Sequence, residues 1–536
     1  MNILESHEII KELDLLIRSK RPIIYLVSQE ENRVVKAIDE ICSQAEPSWD
    51  LLQWDIVSGL ESSYPEFLPV KANERLLDQD EILNWFKDLV VPKNKYAILV
   101  VKDFNKFFGS NSYKNQIELR VIRQIKNLSQ QLITENKTLI ILSNSMDIPT
   151  ELEKFLPVLD YPLPNKSEIK NKISDLLSRA SQRKNLVDKF KTKYTDEELD
   201  SIVNSFRGLT LSECEQVCAY CIIKHSELSP DAISQQKKDI IRKSGLLDWI
   251  DSETDLDKIG GLNGLKTWLF KRQHAFSQDA VDYGLPSSPK GILLVGIQGA
   301  GKSLFAKAVS SYWNFPLLRL DMGKIFSGLV GSSENNMRQV FRVAESVAPC
   351  ILWCDEIDKG MSGSRSSSST DGGTTSRVLG SWLTWMQERT APVFVIATAN
   401  DVSNLPPELL RKGRFDEIFF VDLPNVEERK KIFQIHIEKR GRKVDNFNIS
   451  TLANESQNYT GAEIESSIES AMYEAFSDNK REITTDDILL SLENTVPISK
   501  LMREDIDALR KWAKERARNA SDNDVKYSMP NKEEEL

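Results

Sequence analysis

The residues best suited to chemistry lie in the second half of the chain. Gly296-Ile297-Gln298-Gly299-Ala300-Gly301-Lys302-Ser303 follows a short apolar run, Ile292-Leu293-Leu294-Val295, and precedes LFAKAVSSYW. The run is short and bounded by glycine, as a buried strand is, and the residues from Leu304 onward have helical periodicity. Glycines at such a turn let backbone N–H groups close around phosphate oxygens, and the helix start adds a favourable dipole. Lys302 then supplies a cation to the outer phosphates, and the Ser303 hydroxyl can ligate Mg2+. Strand, G-x-x-x-x-G-K-S and helix in that order predict a nucleotide-phosphate site spanning Gly296 to Leu304.

Further strand ends extend the set. Ile351-Leu352-Trp353-Cys354 runs into Asp355-Glu356. One carboxylate there can hold magnesium through water, while its neighbour orients and polarises an attacking water. Those tasks need adjacent acids at the carboxyl edge of a parallel sheet, where open sheets bind ligands. Without the upstream loop, the same pair would read as the acidic first turn of a helix. Val393–Ala397 leads through Thr398-Ala399 to Asn400, whose amide could touch a γ-phosphate or the attacking water. Next, Leu410-Arg411-Lys412-Gly413-Arg414-Phe415-Asp416 sets two arginines three apart beside a glycine turn. They suit a reach to a neighbouring subunit's phosphate; on its own the segment would be a solvated basic loop.

In this order the motifs resemble the AAA+ ATPases, in their classical AAA branch, from about Leu256 to Ile488. The resemblance implies an α/β fold in which a P-loop parallel sheet carries a helical lid, with ATP and Mg2+ as cofactors. It implies that Ile259-Gly260-Gly261 lies against adenine. It also implies that His436 and Thr460-Gly461-Ala462-Glu463 close over base and ribose, although His436 alone also reads as a core histidine of a lid helix. The family's loop usually begins Gly-Pro-Pro and ends Lys-Thr; Ile297-Gln298 and Ser303 depart from that but keep the glycines and a hydroxyl. Leu329, in Ser327-Gly328-Leu329-Val330-Gly331, stands where protein-threading members carry an aromatic. Leucine offers less area for gripping a substrate. Ser362–Ser376 reads as a mobile, pore-facing loop or as a plain flexible one.

The first half follows the same script in worn form. Ile23–Val27 parallels the strand before the loop but leads into Ser28-Gln29-Glu30-Glu31-Asn32, with no glycine, no lysine and two acids. Leu51–Asp55 parallels Leu317–Asp321, and Ile98–Val101 parallels Ile351–Cys354 with Lys102-Asp103 in place of the acid pair. Thr138–Ser143 and Asn144 parallel the strand that ends at Asn400. Asn144 and Asn165 are 21 positions apart, Asn400 and Asn425 25 apart, and the shortfall covers the stretch holding Arg411 and Arg414. Thr210-Leu211-Ser212-Glu213 matches Thr460–Glu463. The ordered correspondences predict a degenerate, non-hydrolysing AAA+-like module; an unrelated α/β recognition domain is the alternative. Cys214, Cys218 and Cys221 have the C-x-x-x-C-x-x-C spacing of an iron–sulfur loop, but their helical context predicts small core residues on one face.

The expected organisation is a degenerate AAA+-like α/β domain over 1–165 and a helical lid-like segment over 166–248. An ATPase large domain over 249–425 and a helical lid over 426–496 follow. Residues 497–536 hold an amphipathic helix, Leu501–Ala520 with Trp512 on its docking face, and a disordered tail. Across 536 residues, 70 Lys and Arg face 80 Asp and Glu, a net charge of −10. With no basic run to make a patch, the balance disfavours a nucleic-acid motor. No stretch is apolar enough for a membrane span, no secretory signal opens the chain, and six cysteines are too few for a disulfide framework. A soluble intracellular protein is predicted. Nearly the full chain resembles AAA proteins of algal plastids and cyanobacteria known as hypothetical plastid reading frames, which implies a plastid stroma or a cyanobacterial cytoplasm. The expected function is a Mg-dependent ATPase that assembles into a homo-oligomeric ring, a hexamer, and remodels a protein partner. Its rival is a nucleotide-gated scaffold that recruits a partner through the N-terminal module.

Overall fold

Apolar runs with little alternation become strands buried on both faces, the pattern a parallel sheet requires. The computed structural model describes residues 8–521 apart from 47, 63–76, 109–115, 147, 150, 182–190, 192–193, 244, 253, 277, 286–287, 327–331 and 362–373. Leu329, most of Ser362–Ser376 and the tail from 522 onward lie outside the described residues. Two compact units result, Met1–Lys237 and Lys238–Leu536.

The first unit holds strands β1 (Ile23–Val27), β2 (Asp50–Asp55), β3 (Gly59–Ser62), β4 (Ala97–Lys102), β5 (Lys137–Ser143) and β6 (Val158–Asp160). They form one sheet in the order β3-β2-β4-β5-β1-β6, parallel except for the β2–β3 hairpin. Helices α1 (Glu8–Arg18) and α2 (Glu31–Gln44) cover one face through Ile10, Leu13, Ile17, Val34, Ile38 and Ile41. A helical segment follows, including α3 (Lys166–Ser181) and α4 (Leu211–His225). Cys214, Cys218 and Cys221 are buried along α4, and burial pushes the Cys214 and Cys218 thiols up to about 12.

The second unit holds β7 (Leu247–Ile250), β8 (Gly291–Gly296), β9 (Leu317–Leu320), β10 (Cys350–Cys354), β11 (Val393–Ala399), β12 (Glu417–Val421) and β13 (Arg518–Asn519). Their order is β13-β12-β8-β11-β10-β9-β7, with only β7 antiparallel. With the edge strands set aside, the sheets run β2-β4-β5-β1-β6 and β9-β10-β11-β8-β12. Both place the second, third, fourth, first and fifth strands of their unit side by side. The first half is therefore a degenerate AAA+-like α/β module. In the second unit the order reverses beside β8, and that crevice is where an open α/β sheet binds ligands. Helix α5 (Lys302–Trp313) leaves from the end of β8.

The lid comprises α6 (Val426–Lys439), Ile449–Glu455, α7 (Gly461–Ser477) and Thr485–Glu493, packed on its own core of Phe433, Leu452, Ile464, Ile468 and Ile488. Reciprocal capping boxes start the lid helices in both units: Thr210 with Glu213, Thr460 with Glu463. The C-terminal helix differs from expectation. It spans only α8 (Arg503–Arg516), burying Ile506, Leu509 and Ala513, after which the chain turns extended at Ala517 and Arg518–Asn519 joins the sheet beside β12. The open edge of β12 offers backbone partners that a continued helix would leave unpaired. Among the described residues, no helix is long and apolar enough to cross a membrane.

Candidate nucleotide site

Beyond the end of β8 lies a cavity of about 410 Å³. Gln298, Gly299, Ala300, Gly301, Lys302, Ser303 and Leu304 form one wall; Asp355 and Glu356 come from the end of β10, and Asn400 from just past β11. Ile259 and Gly260 flank the far end, and His436, Gly461 and Ala462 close it from the lid. Gly299 has φ +79°, and a Cβ there would meet Thr460 Oγ1 at 3.0 Å and Ala462 Cβ at 3.2 Å. Only glycine lets the loop come this near the lid, where Ala462 N–H donates to the Gly299 carbonyl at 3.2 Å.

Gly296 and Ile297 do not line the cavity. Their carbonyls accept from Lys302 Nζ at 2.8 and 2.9 Å, holding the ammonium at the base of the loop. Burial pulls the Lys302 pKa down to about 8, against the opposing pull of Asp358, Asp355 and Glu356. Arg411 and Arg414 stand outside the cavity of their own chain. Arg411 is exposed, and Arg414 donates to the Gln387 side chain.

The acid pair is held by a residue the sequence reading passed over. Thr398 Oγ1 donates to Asp355 Oδ1 at 2.7 Å and accepts from Glu356 N–H at 2.9 Å. Ser303 Oγ donates to the same Asp355 oxygen at 3.3 Å. Glu356 takes φ +49°, a left-handed conformation that costs a side-chain-bearing residue about 1–3 kcal/mol. Asn400 Nδ2 donates to its Oε1 at 3.3 Å, and Lys359 Nζ to its Oε2 at 2.6 Å. Behind them, buried Asp358 accepts from the backbone N–H groups of Asn400 and Asp401 at 3.3 and 3.1 Å.

The lid side also holds groups not expected from sequence. His436 Nδ1 faces Glu465 Oε1 at 3.2 Å; burial lowers the His436 pKa, and Glu465 offsets part of that. Glu428 lines the cavity and accepts from Leu262 N–H at 3.0 Å. Its capping box with Asn425 was a readable signal, since N-x-x-E before an apolar run marks a helix start. Asp422 and Ser521 also line the cavity, and no sequence pattern marks either.

The corresponding loop in the first unit is tied to the chain's own lid-like helix, beside a cavity of about 810 Å³. Glu30, in the loop between β1 and α2, accepts from Leu211 N–H at 2.6 Å, at the first turn of lid-like helix α4. Its other oxygen accepts from Arg33 Nη1 at 2.7 Å, and Arg33 forks onto Glu168 at 3.0 and 2.8 Å. The Glu30 and Arg33 side chains are about 6% exposed. Burial raises the Glu30 pKa despite Leu211 N–H and Arg33; for Arg33, burial lowers the pKa but Glu168, Tyr161 and Glu30 together outweigh it, and the net shift is upward. Glu168 caps α3 from Asn165 as Glu428 caps α6 from Asn425. A carboxylate thus sits at the helix N-terminus, where an anion would otherwise bind.

Comparison with known proteins agrees with this geometry. The model for the ATPase family associated with various cellular activities (AAA) matches residues 292–423. Models for the SpoVK-like AAA ATPase N-terminal domain and second domain match 9–161 and 167–244. The "Uncharacterized AAA domain-containing protein ycf46" of Guillardia theta is 38% identical over 94% of each chain. That of Pyropia yezoensis is 40% identical over 95% of this chain and 99% of its own. The chain belongs to the AAA ATPase family. The "Cell division cycle protein 48 homolog" of Archaeoglobus fulgidus is 35% identical, over 39% of this AAA protein and 29% of that relative. Membership implies that the AAA domain binds nucleotide.

Lys302 gives this site a pH dependence. Phosphate favours the charged ammonium, so binding takes up a proton once pH rises past the Lys302 value of about 8. Affinity for a fluorescent ADP analogue should be flat below about pH 7 and weaken toward tenfold per unit above about 8. Calorimetry in two buffers of different ionisation heat should show proton uptake at the higher pH. Equal heats in both buffers would contradict the shift.

Proposed function

We propose that this AAA protein is a Mg2+-dependent ATPase that works as a ring and couples hydrolysis to remodelling of a protein partner. One observation carries the reading: Asp355 and Glu356 share a cavity wall with Lys302 and Ser303, fixed by the two hydrogen bonds of Thr398. Ser303 Oγ and Asp355 Oδ1, 3.3 Å apart, are hard oxygen donors on one side of the cavity, a set that suits Mg2+ retaining several waters. Bound there, Mg2+ supplies charge neutralisation at the phosphate oxygens. Lys302 and the backbone of Gln298–Gly301 hold the phosphates. Glu356 polarises the attacking water, and Asn400, already on its carboxylate, orients that water against the γ-phosphate. Ile259, Gly260, His436, Gly461 and Ala462 enclose base and ribose.

No arginine stands among the described residues lining the cavity, while Arg411 and Arg414 lie outside it. This supports arginines that act in trans, in a ring we read as a hexamer. The net charge of −10 favours a protein client over nucleic acid. Likeness to the ycf46 proteins supports a plastid origin, with the stroma or a cyanobacterial cytoplasm as the working compartment. The chain reads as modules at 1–165, 166–248, 249–425 and 426–496 with an appended C-terminal segment at 497–536, and the matched spans support the first three of these. A second reading, a nucleotide-gated scaffold with little hydrolysis, is favoured by the first unit's loop, which carries the ion-paired Glu30 where the second unit's loop carries its glycines. Wild-type protein that binds ATP yet barely turns it over at any concentration would put the scaffold ahead.

Glu356→Gln should keep ATP affinity while turnover falls at least about 100-fold, read by phosphate release alongside equilibrium binding. Retained hydrolysis would remove Glu356 from its role. Arg414→Ala should likewise keep affinity and lose turnover, on the order of 10³-fold for an arginine acting across subunits. Normal turnover in that variant would count against a shared site.

A further inference from the structure

The described part of the C-terminal segment reaches the wall of the nucleotide cavity. After α8 the chain pairs with β12, and Ala520 is locked there: its N–H donates to the Phe420 carbonyl at 2.9 Å, and its carbonyl accepts from Leu265 N–H at 3.1 Å. Ala520 is fully buried. This fixes the next residue, Ser521, at the cavity wall, where its Oγ donates to Glu428 Oε1 at 2.6 Å. The same oxygen accepts from Leu262 N–H, and Oε2 accepts from Asn425 N–H at 2.9 Å. One carboxylate therefore ties three separate parts of the chain: the segment after Ile259–Gly260, the first turn of the lid and the C-terminal strand. The fit leaves no slack, since a Cβ on Gly261 would lie 2.1 Å from Glu428 Oε1. A second tie is independent of the first: Arg510 of α8 forks onto Asp422, another cavity residue, at 2.8 to 3.1 Å.

We propose that Ser521 is a positioning residue for the nucleotide, acting through Glu428, so that the C-terminal strand is a working part of the site. Its hydroxyl holds the Glu428 carboxylate in the one orientation that also fixes the Gly261–Leu262 backbone and the start of α6. Ile259, Gly260, Ile432 and His436 surround the same end of the cavity. Losing the hydroxyl leaves the carboxylate on its two backbone donors, Leu262 and Asn425, with Oε1 one donor short and its charge less satisfied beside the base end of the nucleotide, which opposes binding. The proposal rests on the nucleotide reading of this cavity.

The test uses the full chain and a fluorescent ADP analogue. Ser521→Ala should weaken binding about five- to tenfold, the scale of one ordinary hydrogen bond, since two backbone donors still hold the carboxylate. In ATP turnover the loss should fall on KM more than on kcat, and Ser521→Thr, which keeps the hydroxyl, should restore it. The melting temperature of nucleotide-free Ser521→Ala should stay at the wild-type value. Unchanged affinity in Ser521→Ala overturns the proposal. So does a loss of affinity that comes with a lower nucleotide-free melting temperature and is not restored by Ser521→Thr, which marks a role in folding alone. Failure of the nucleotide reading looks different, because wild-type protein would then bind no analogue and Lys302→Ala would change nothing.

Discussion

The Thr398 hydroxyl is the contact on which the site depends. Strands β10 and β11 run parallel in register, with Cys354 opposite Ala397, so Thr398 meets Asp355 one step beyond the last pair. Its single oxygen donates to the Asp355 carboxylate and accepts from the Glu356 backbone. That second bond supports the left-handed turn at Glu356, an arrangement with an intrinsic cost of about 1–3 kcal/mol. With the turn in place, two carboxylates that follow each other in sequence face different partners. Asp355 turns to Ser303, and Glu356 turns to Asn400 and Lys359. Because β8 lies next to β11, Lys302 arrives at the same crevice without any long connection.

The two units show how little separates an open phosphate site from a closed one. Their central sheets have the same strand order, and their lid helices start with the same capping boxes. In the second unit the loop after the first central strand carries glycines and lines the cavity. In the first, Glu30 extends into the equivalent space and takes the lid helix N–H itself. Arg33 then bridges Glu30 to Glu168, neutralising part of the buried charge that would otherwise be costly. The strand order persists while Glu30 and Arg33 take up hydrogen bonds at the loop.

The lining of the cavity was legible where it is local in sequence. Spacing alone located the loop, the acid pair and Asn400, because each follows a strand with an unmistakable apolar run. Resemblance added the lid residues His436, Gly461 and Ala462, and all three line the cavity. What was not legible is non-local. Leu262 reaches Glu428 across 166 positions and Ser521 reaches it across 93, separations that no periodicity encodes. The C-terminal segment was misread beyond Arg516 because its composition favours helix, while the open edge of β12 offered the backbone a better set of partners. Gly296 and Ile297 sit in the loop motif yet serve it from below, through carbonyls rather than N–H groups.

Single-turnover ATP hydrolysis by Thr398→Val tests this account most directly. Valine keeps the size and branching of threonine and removes both hydrogen bonds to the acid pair. The account predicts that ATP still binds, since the loop and Lys302 are untouched, while the chemical step slows at least about tenfold as Glu356 loses its fixed orientation. A single-turnover rate equal to wild type, with ATP bound equally well, would contradict it.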